Sequence, residues 1–161
     1  MVMEYIEGGN LRKYLQKDYH NLSFENKLFR LINIAQGLKD IHQKKLIHRD
    51  FHSGNILSGK GKCFITDLGL SRSASSKLEE GKILGVMPYV APEVLRKGEY
   101  SQKSDIYSFG VIATEILTGM PPFYNIPHDQ FLAVRICQGE RPKLDGEVKI
   151  PRLLKDLIKR C

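Results

Sequence analysis

His48-Arg49-Asp50-Phe51-His52-Ser53-Gly54-Asn55 (HRDFHSGN) gathers two histidines, an arginine, an aspartate and an asparagine into eight consecutive positions. It lies between Lys44-Lys45-Leu46-Ile47 and Ile56-Leu57-Ser58-Gly59, two segments that read as structured. A polar loop carried between structured elements is a common place for binding and catalytic groups. Asp50 and Asn55 lie in that loop, and Asp67 follows the next apolar run. Two carboxylates and a carboxamide brought together by a hairpin suit a hard cation, which takes oxygen ligands and keeps several waters. A carboxylate left over could accept a proton from an attacking hydroxyl. Asp and Asn are also common turn formers, so these residues alone do not decide between a site and a set of turns.

On either side, the pattern is mostly helical. Met1 to Ile6 reads as a short strand, turned by Glu7-Gly8-Gly9. Asn10 can cap a short helix over Leu11 to Lys17. Ser23 opens an amphipathic helix running to about Lys44, with Leu28, Leu31, Ile32, Ala35, Leu38 and Ile41 as its apolar stripe. Ile56-Leu57 and Cys63 to Thr66, separated by Gly59-Lys60-Gly61, predict a small hairpin. Residues 71–86 are polar and aperiodic and read as a loop. Ile106 to Leu117 is apolar nearly all round, as in a helix buried on most sides, and Gly119-Met120-Pro121-Pro122 ends it. Helices at about 128–138 and 151–160 complete a mainly α chain with short β-hairpins.

The bulk properties narrow the function classes. The chain has 161 residues, 42% of them hydrophobic and 27% charged, enough for one domain with a core. No apolar run is long enough to span a bilayer. The net charge is +7, but the basic residues are scattered, with no arginine-rich arm or basic-aromatic stripe, which disfavours a nucleic-acid partner. Cys63, Cys137 and Cys161 are odd in number and lack metal spacing, which points to free thiols in a reducing, cytoplasmic compartment.

Four short motifs occur in one order: His48-Arg49-Asp50 with Asn55, Asp67-Leu68-Gly69, Ala91-Pro92-Glu93, and Asp105 at the head of the apolar helix. With them the chain resembles the eukaryotic protein kinase family, most closely its tyrosine-kinase-like group. The resemblance covers residues 1–161 and implies a partial kinase domain: the helical large lobe, from the hinge through the activation segment to a late helix, without the small lobe. It implies ATP and magnesium as cofactors and a protein substrate. Asp50 would orient the substrate hydroxyl and take its proton, while Asn55 and Asp67 would hold magnesium against the nucleotide phosphates. Met3 falls at the gatekeeper position, the backbone of Glu4 and Ile6 would bind adenine, and Leu57 would floor the purine. Arg49 would grip a phosphorylated residue among Ser71, Ser73, Ser75 and Ser76. Asp105 would anchor the catalytic-loop backbone, and His48 would pack under Leu68. His20, His42 and His128 have no partner spacing and read as surface or core filler.

Departures from the family pattern bear on substrate chemistry. Serine/threonine kinases usually carry Lys two places after the catalytic Asp, and tyrosine kinases Arg four places after it; here those positions are His52 and Gly54. Val86 replaces the usual Thr before Ala91-Pro92-Glu93. An imidazole, with an unperturbed pKa of about 6.5, is mostly neutral at pH 7; His52, protonated beside the phosphates, is expected to supply part of the missing charge. The arginine that pairs with the Glu93 position falls at or beyond Cys161, so Glu93 is expected to be a buried carboxylate without its partner. Met3 and Leu57 would belong to an exposed apolar face that the small lobe or another partner covers. These features leave two function classes: a protein kinase acting on serine or threonine, and a pseudokinase or lobe serving as a binding scaffold.

Overall fold

The computed structural model describes residues 8–59, 61–73, 85–144 and 149–161. The predicted strand at residues 1–6 lies outside them. Asn10 accepts a hydrogen bond from the Lys13 amide at 3.0 Å and starts α1 (Leu11–Asp18), which buries Leu11 and Leu15. Ser23 does the same for α2 (Phe24–Gln43), accepting from the Asn26 amide at 3.2 Å. Each cap satisfies an amide that the first helical turn leaves without a partner.

The buried face of α2 differs from the predicted stripe. Ile32 is 64% exposed and Ala35 is also exposed, whereas Ile34 is completely buried beside Leu31 and Leu38. The remaining buried positions of this helix are Lys27 and Arg30. The Lys27 ammonium lies 3.6 Å from the centroid of the Tyr19 ring. Arg30 stacks over Tyr14 at 4.2 Å and donates to Ser58 Oγ at 2.6 Å. A desolvated cation over an aromatic face is worth about 2 kcal/mol, which offsets part of the cost of burial. A hydrophobic pattern assigns both cations to solvent, and that rotates the predicted face.

After α2 the chain forms β1 (Leu46–Ile47), the loop of residues 48–55, and a hairpin of β2 (Ile56–Gly59) and β3 (Lys62–Ile65). Leu57 pairs with Phe64 and Ser58 with Cys63 across the hairpin, and Gly61 turns it at φ 82°. Ile56 and Ser58 point into the core, where β3 packs on α2. An added Cβ on Gly37 of α2 would already stand 3.2 Å from Ile65 Cδ1. The region read as a loop from residue 71 holds a short strand, β4 (Arg72–Ser73), antiparallel to β1. Two residues of strand are too short for alternation to register in a sequence. Residues 74–84 lie outside the described residues.

The second half is helical: α3 (Pro92–Lys97), α4 (Gln102–Thr118), α5 (Gln130–Cys137) and α6 (Arg152–Arg160). Helix α4 starts one turn before the predicted Ile106, where Ser101 and Ser104 form a reciprocal capping box. It is the core helix: Val111, Ile112, Ala113, Ile116 and Leu117 are all buried. It ends on Gly119 at φ 72°, against which the Tyr19 ring packs and donates its hydroxyl to the Leu117 carbonyl at 2.7 Å. No helix among the described residues is long and apolar enough to cross a membrane.

A buried polar network ties α4 to the rest. Tyr89 Oη donates to Glu115 Oε2 at 2.6 Å, and Ser53 Oγ donates to Glu115 Oε1 at 3.1 Å. From α1, Arg12 reaches Ser53 Oγ at 3.3 Å and Tyr89 Oη at 3.4 Å. Burial pushes the Glu115 carboxyl above its ordinary range, and the Tyr89 and Ser53 hydroxyls pull it back only in part. Burial likewise raises the Tyr89 hydroxyl, with Glu115 adding to it. A carboxyl whose pKa is raised by folding contributes most stability while protonated and loses it as pH rises through its folded value. Glu115→Gln keeps a side chain that can accept from one hydroxyl and donate to the other. The variant should therefore gain stability relative to wild type between about pH 4 and pH 7, as read from urea melts at each pH. A constant difference across that range would contradict this account.

Two glycines with the same backbone separate strain from contact. Gly98 and Gly119 both have φ 72°, but a Cβ on Gly98 meets nothing within 4 Å, whereas one on Gly119 would stand 2.6 Å from the Tyr19 ring. Gly98→Ala should cost about 1 kcal/mol for the left-handed backbone. Gly119→Ala should cost a further ~1–3 kcal/mol for the overpacked ring. Equal midpoints in urea for the two variants would remove the contact term.

Candidate active site

The site is built on a carboxylate from α4. Asp105 is 2% exposed and accepts from the His48 amide at 2.9 Å and the Arg49 amide at 3.2 Å. His42 Nε2 lies 2.8 Å from the same carboxylate, so this histidine has a buried partner and is not filler. Arg49 adopts φ 72° although it is not glycine. That conformation costs about 1–2 kcal/mol. Two hydrogen bonds to an ionised acceptor, each worth about 1.5–3 kcal/mol, are enough to hold it.

His48 is completely buried. Its Nδ1 accepts from the Asp50 amide at 3.3 Å and its Nε2 faces the Thr66 carbonyl at 3.1 Å, so the ring fastens the loop to the end of β3. Its ring neighbour is Phe51, with centroids 5.3 Å apart, while Leu68 is 46% exposed.

Asp50 and Asn55 are brought together directly. Asn55 Nδ2 donates to the Asp50 carbonyl at 2.9 Å and to Asp50 Oδ2 at 3.1 Å. With its amide hydrogens used inward, Asn55 keeps Oδ1 as an acceptor. The Asn55 carbonyl takes both the Thr66 amide at 2.9 Å and the Thr66 hydroxyl at 3.0 Å, and Asp67 is the next residue along the chain. Asp67 is exposed and adopts the left-handed conformation at φ 60°. Asn55 and Asp67 each carry an oxygen of the kind magnesium takes, since that ion is commonly held by one or two protein oxygens together with substrate phosphates.

The other oxygen of Asp50, Oδ1, is buried and makes no aligned hydrogen bond among the described residues. His52 Nε2 approaches it to 3.3 Å, close enough to act electrostatically but off the line of a good hydrogen bond. The His52 imidazole, followed by Asn55, holds the Asp50 carboxyl below its ordinary range against the opposing effect of burial. An added Cβ on Gly85 would stand 3.3 Å from Oδ1, so the returning backbone passes beside the carboxylate.

Arg49 projects away from this cluster. Its guanidinium lies 4.7 Å over the Tyr100 ring, and its Nε is buried without a hydrogen-bond partner among the described residues. Ser71 Oγ is also buried and has no partner among them, and Ser73 lies in β4. Ser75, Ser76, Met3, Glu4 and Ile6 fall outside the described residues. Leu57 is half-buried and shares the outer face of the hairpin with Phe64, which is 43% exposed. Leu68 and Leu70, at 46% and 37% exposure, add to the apolar surface after Asp67. Glu93 is half-buried and forms no ion pair among the described residues, so the penalty of a fully buried carboxylate does not apply. The neighbouring Tyr107 hydroxyl is pushed up to about 12, chiefly by burial.

Sequence reasoning passed over His42, Arg12, Ser53, Tyr89 and Glu115. The available signal was Glu115: a carboxylate inside an otherwise apolar helix must find buried partners.

Comparison with known proteins agrees with this architecture. A family profile described as protein tyrosine and serine/threonine kinase matches residues 1–161. A Dictyostelium discoideum protein named a probable serine/threonine-protein kinase, roco5, is 37% identical over 89% of this chain and 6% of its own length. The serine/threonine/tyrosine-protein kinase HT1 of Arabidopsis thaliana is 32% identical over 100% of this chain and 41% of its own length. The RGS domain-containing serine/threonine-protein kinase A of Dictyostelium discoideum is 34% identical over 98% of this chain and 14% of its own length. The chain thus spans less than half the length of each of these relatives. With a mainly helical fold, ordered motifs and a family profile matched over its length, this chain belongs to the eukaryotic protein kinase family.

Proposed function

We propose that residues 1–161 are part of the catalytic domain of an ATP-dependent protein kinase that phosphorylates serine or threonine hydroxyls. The observation that carries this reading is the division of labour on Asp50. Oδ2 is held by Asn55, while Oδ1 is buried and without an aligned hydrogen bond among the described residues, and His52 and Asn55 hold the carboxyl below its ordinary range. A carboxylate prepared in this way can orient an incoming hydroxyl and accept its proton. Asn55 and Asp67 would hold magnesium; when bound, magnesium–ATP supplies the phosphoryl group and neutralises its charge. Leu57 would lie under the purine, with Met3, Glu4 and Ile6 lining the rest of that cleft, and Arg49 would read phosphorylation of the following segment. The names of the relatives favour serine or threonine as acceptor.

The scaffold reading rests on one observation: positions 52 and 54 carry His and Gly, so neither supplies a permanent cation to a transferring phosphoryl group. The two readings separate in the full-length protein. Magnesium–ATP should raise its melting temperature, and Asp67→Ala should remove the magnesium-dependent part of that rise. Asp50→Asn should keep the rise but lower phosphate incorporation into a serine/threonine peptide library on the order of 10²- to 10⁴-fold. Nucleotide binding by wild type without any phosphate incorporation would reject the kinase reading in favour of the scaffold.

A further inference from the structure

His52 and Gly54 stand at the positions where the family pattern carries a cation, and the fold joins them to each other. The Gly54 amide donates to His52 Nδ1 at 3.0 Å. That nitrogen is an acceptor, so it carries no proton, and the ring proton sits on Nε2. Nε2 in turn faces Asp50 Oδ1 at 3.3 Å. The ring is only 12% exposed and leans on Tyr89, with centroids 5.9 Å apart. Protonating Nδ1 would set two donors against each other at the Gly54 amide. The Gly54 contact opposes a proton on Nδ1, which the imidazolium that a phosphate clamp requires would carry.

Gly54 is needed for this for a steric reason. A Cβ there would stand 2.7 Å from His52 Cε1 and 2.8 Å from Nδ1. Any side chain at position 54 would push the ring off its own backbone, with loss of the Gly54 amide bond and of the approach to Asp50. The two departures from the family pattern are therefore one structural unit.

We infer that His52 is a positioning residue for Asp50: a neutral imidazole, its tautomer set by the Gly54 amide, that steers the Asp50 carboxylate from the Oδ1 side. The contact is long in the free protein, as catalytic hydrogen bonds often are before substrate closes the site. The kinetic consequence rests on the phosphotransfer reading of Asp50; the tautomer does not.

Substitutions at position 52 separate the two ends of the ring. Asn can imitate Nδ1 and accept from Gly54, but does not reach Asp50; Gln can imitate Nε2 and donate toward Asp50. In the full-length protein, His52→Ala, His52→Asn and Gly54→Ala should each lower kcat about tenfold or more, with the KM for ATP unchanged. The His52→Ala/Gly54→Ala double variant should fall no further than either single change, and His52→Gln should recover most of the loss. Full activity of His52→Asn would reduce His52 to a structural cap, and full activity of His52→Ala would overturn the inference outright. Ring-nitrogen NMR of the full-length protein, with the His52 signals assigned by difference from His52→Gln, should show Nδ1 bare and Nε2 protonated, and Gly54→Ala should abolish that preference. A protonated Nδ1 in wild type would also overturn the inference. If wild type transfers no phosphate, the phosphotransfer reading fails, and the spectrum still decides whether Gly54 sets the ring.

Discussion

The carboxylate of Asp105 is the constraint from which the site follows. It is buried at the start of α4, where the positive end of the helix dipole favours an anion. Its two oxygens take the amides of His48 and Arg49, which would otherwise be buried donors without partners. Meeting both amides with one rigid group requires a left-handed turn at Arg49. That turn sends the arginine toward Tyr100 and leaves Asp50 facing Asn55. The order of side chains along the loop is thus converted into two surfaces, one basic and aromatic, the other rich in oxygen.

Helix α4 fixes the loop at a second point. Glu115 lies ten residues further along, about 15 Å at the helical rise. Through Ser53 and Tyr89 it holds the far end of the same loop and the turn before α3. One apolar helix with a buried carboxylate near each end therefore sets the span over which Asp50, His52 and Asn55 are arranged. The price is desolvation of two acidic groups, which only complete hydrogen bonding offsets. The loop amides meet that requirement at Asp105, whereas Tyr89 and Ser53 offset it only in part at Glu115. They also explain why α4 tolerates polar residues at buried positions while still reading as an apolar helix.

Much of this was legible in the residues. Caps at Asn10 and Ser23, the hairpin around Gly61 and the core helix ending at Gly119 all follow from local rules that the fold does not overrule. The pairing of Asp50 with Asn55 was also accessible, because both lie in one short loop. What could not be read were contacts between distant residues of like appearance. Lys27 and Arg30 look solvent-facing until Tyr19 and Tyr14 are placed over them. His42 looks idle until Asp105, 63 positions away, reaches it. Arg12 meets Tyr89 across 77 positions, with nothing local to announce it. Burial of charge is a tertiary property, and hydrophobic periodicity assigns every charge to water.

The same reasoning explains why the site itself was harder to read than the fold. Arg49 and Asp67, both immediately adjacent to or within the proposed machinery, adopt the left-handed backbone that non-glycine residues avoid. Local propensity would place neither of them there. Each is held by partners fixed elsewhere: Asp105 for the turn at Arg49, and the paired donation of Thr66 to the Asn55 carbonyl for the turn at Asp67. Strain of this kind persists only where the surroundings over-determine it. Asp50 meets Asn55 after one of these fixed turns, and Asp67 follows the threonine that bonds the Asn55 carbonyl. The pairing of Asp50 with Asn55 is already made in the free protein, so its ordering cost is met during folding.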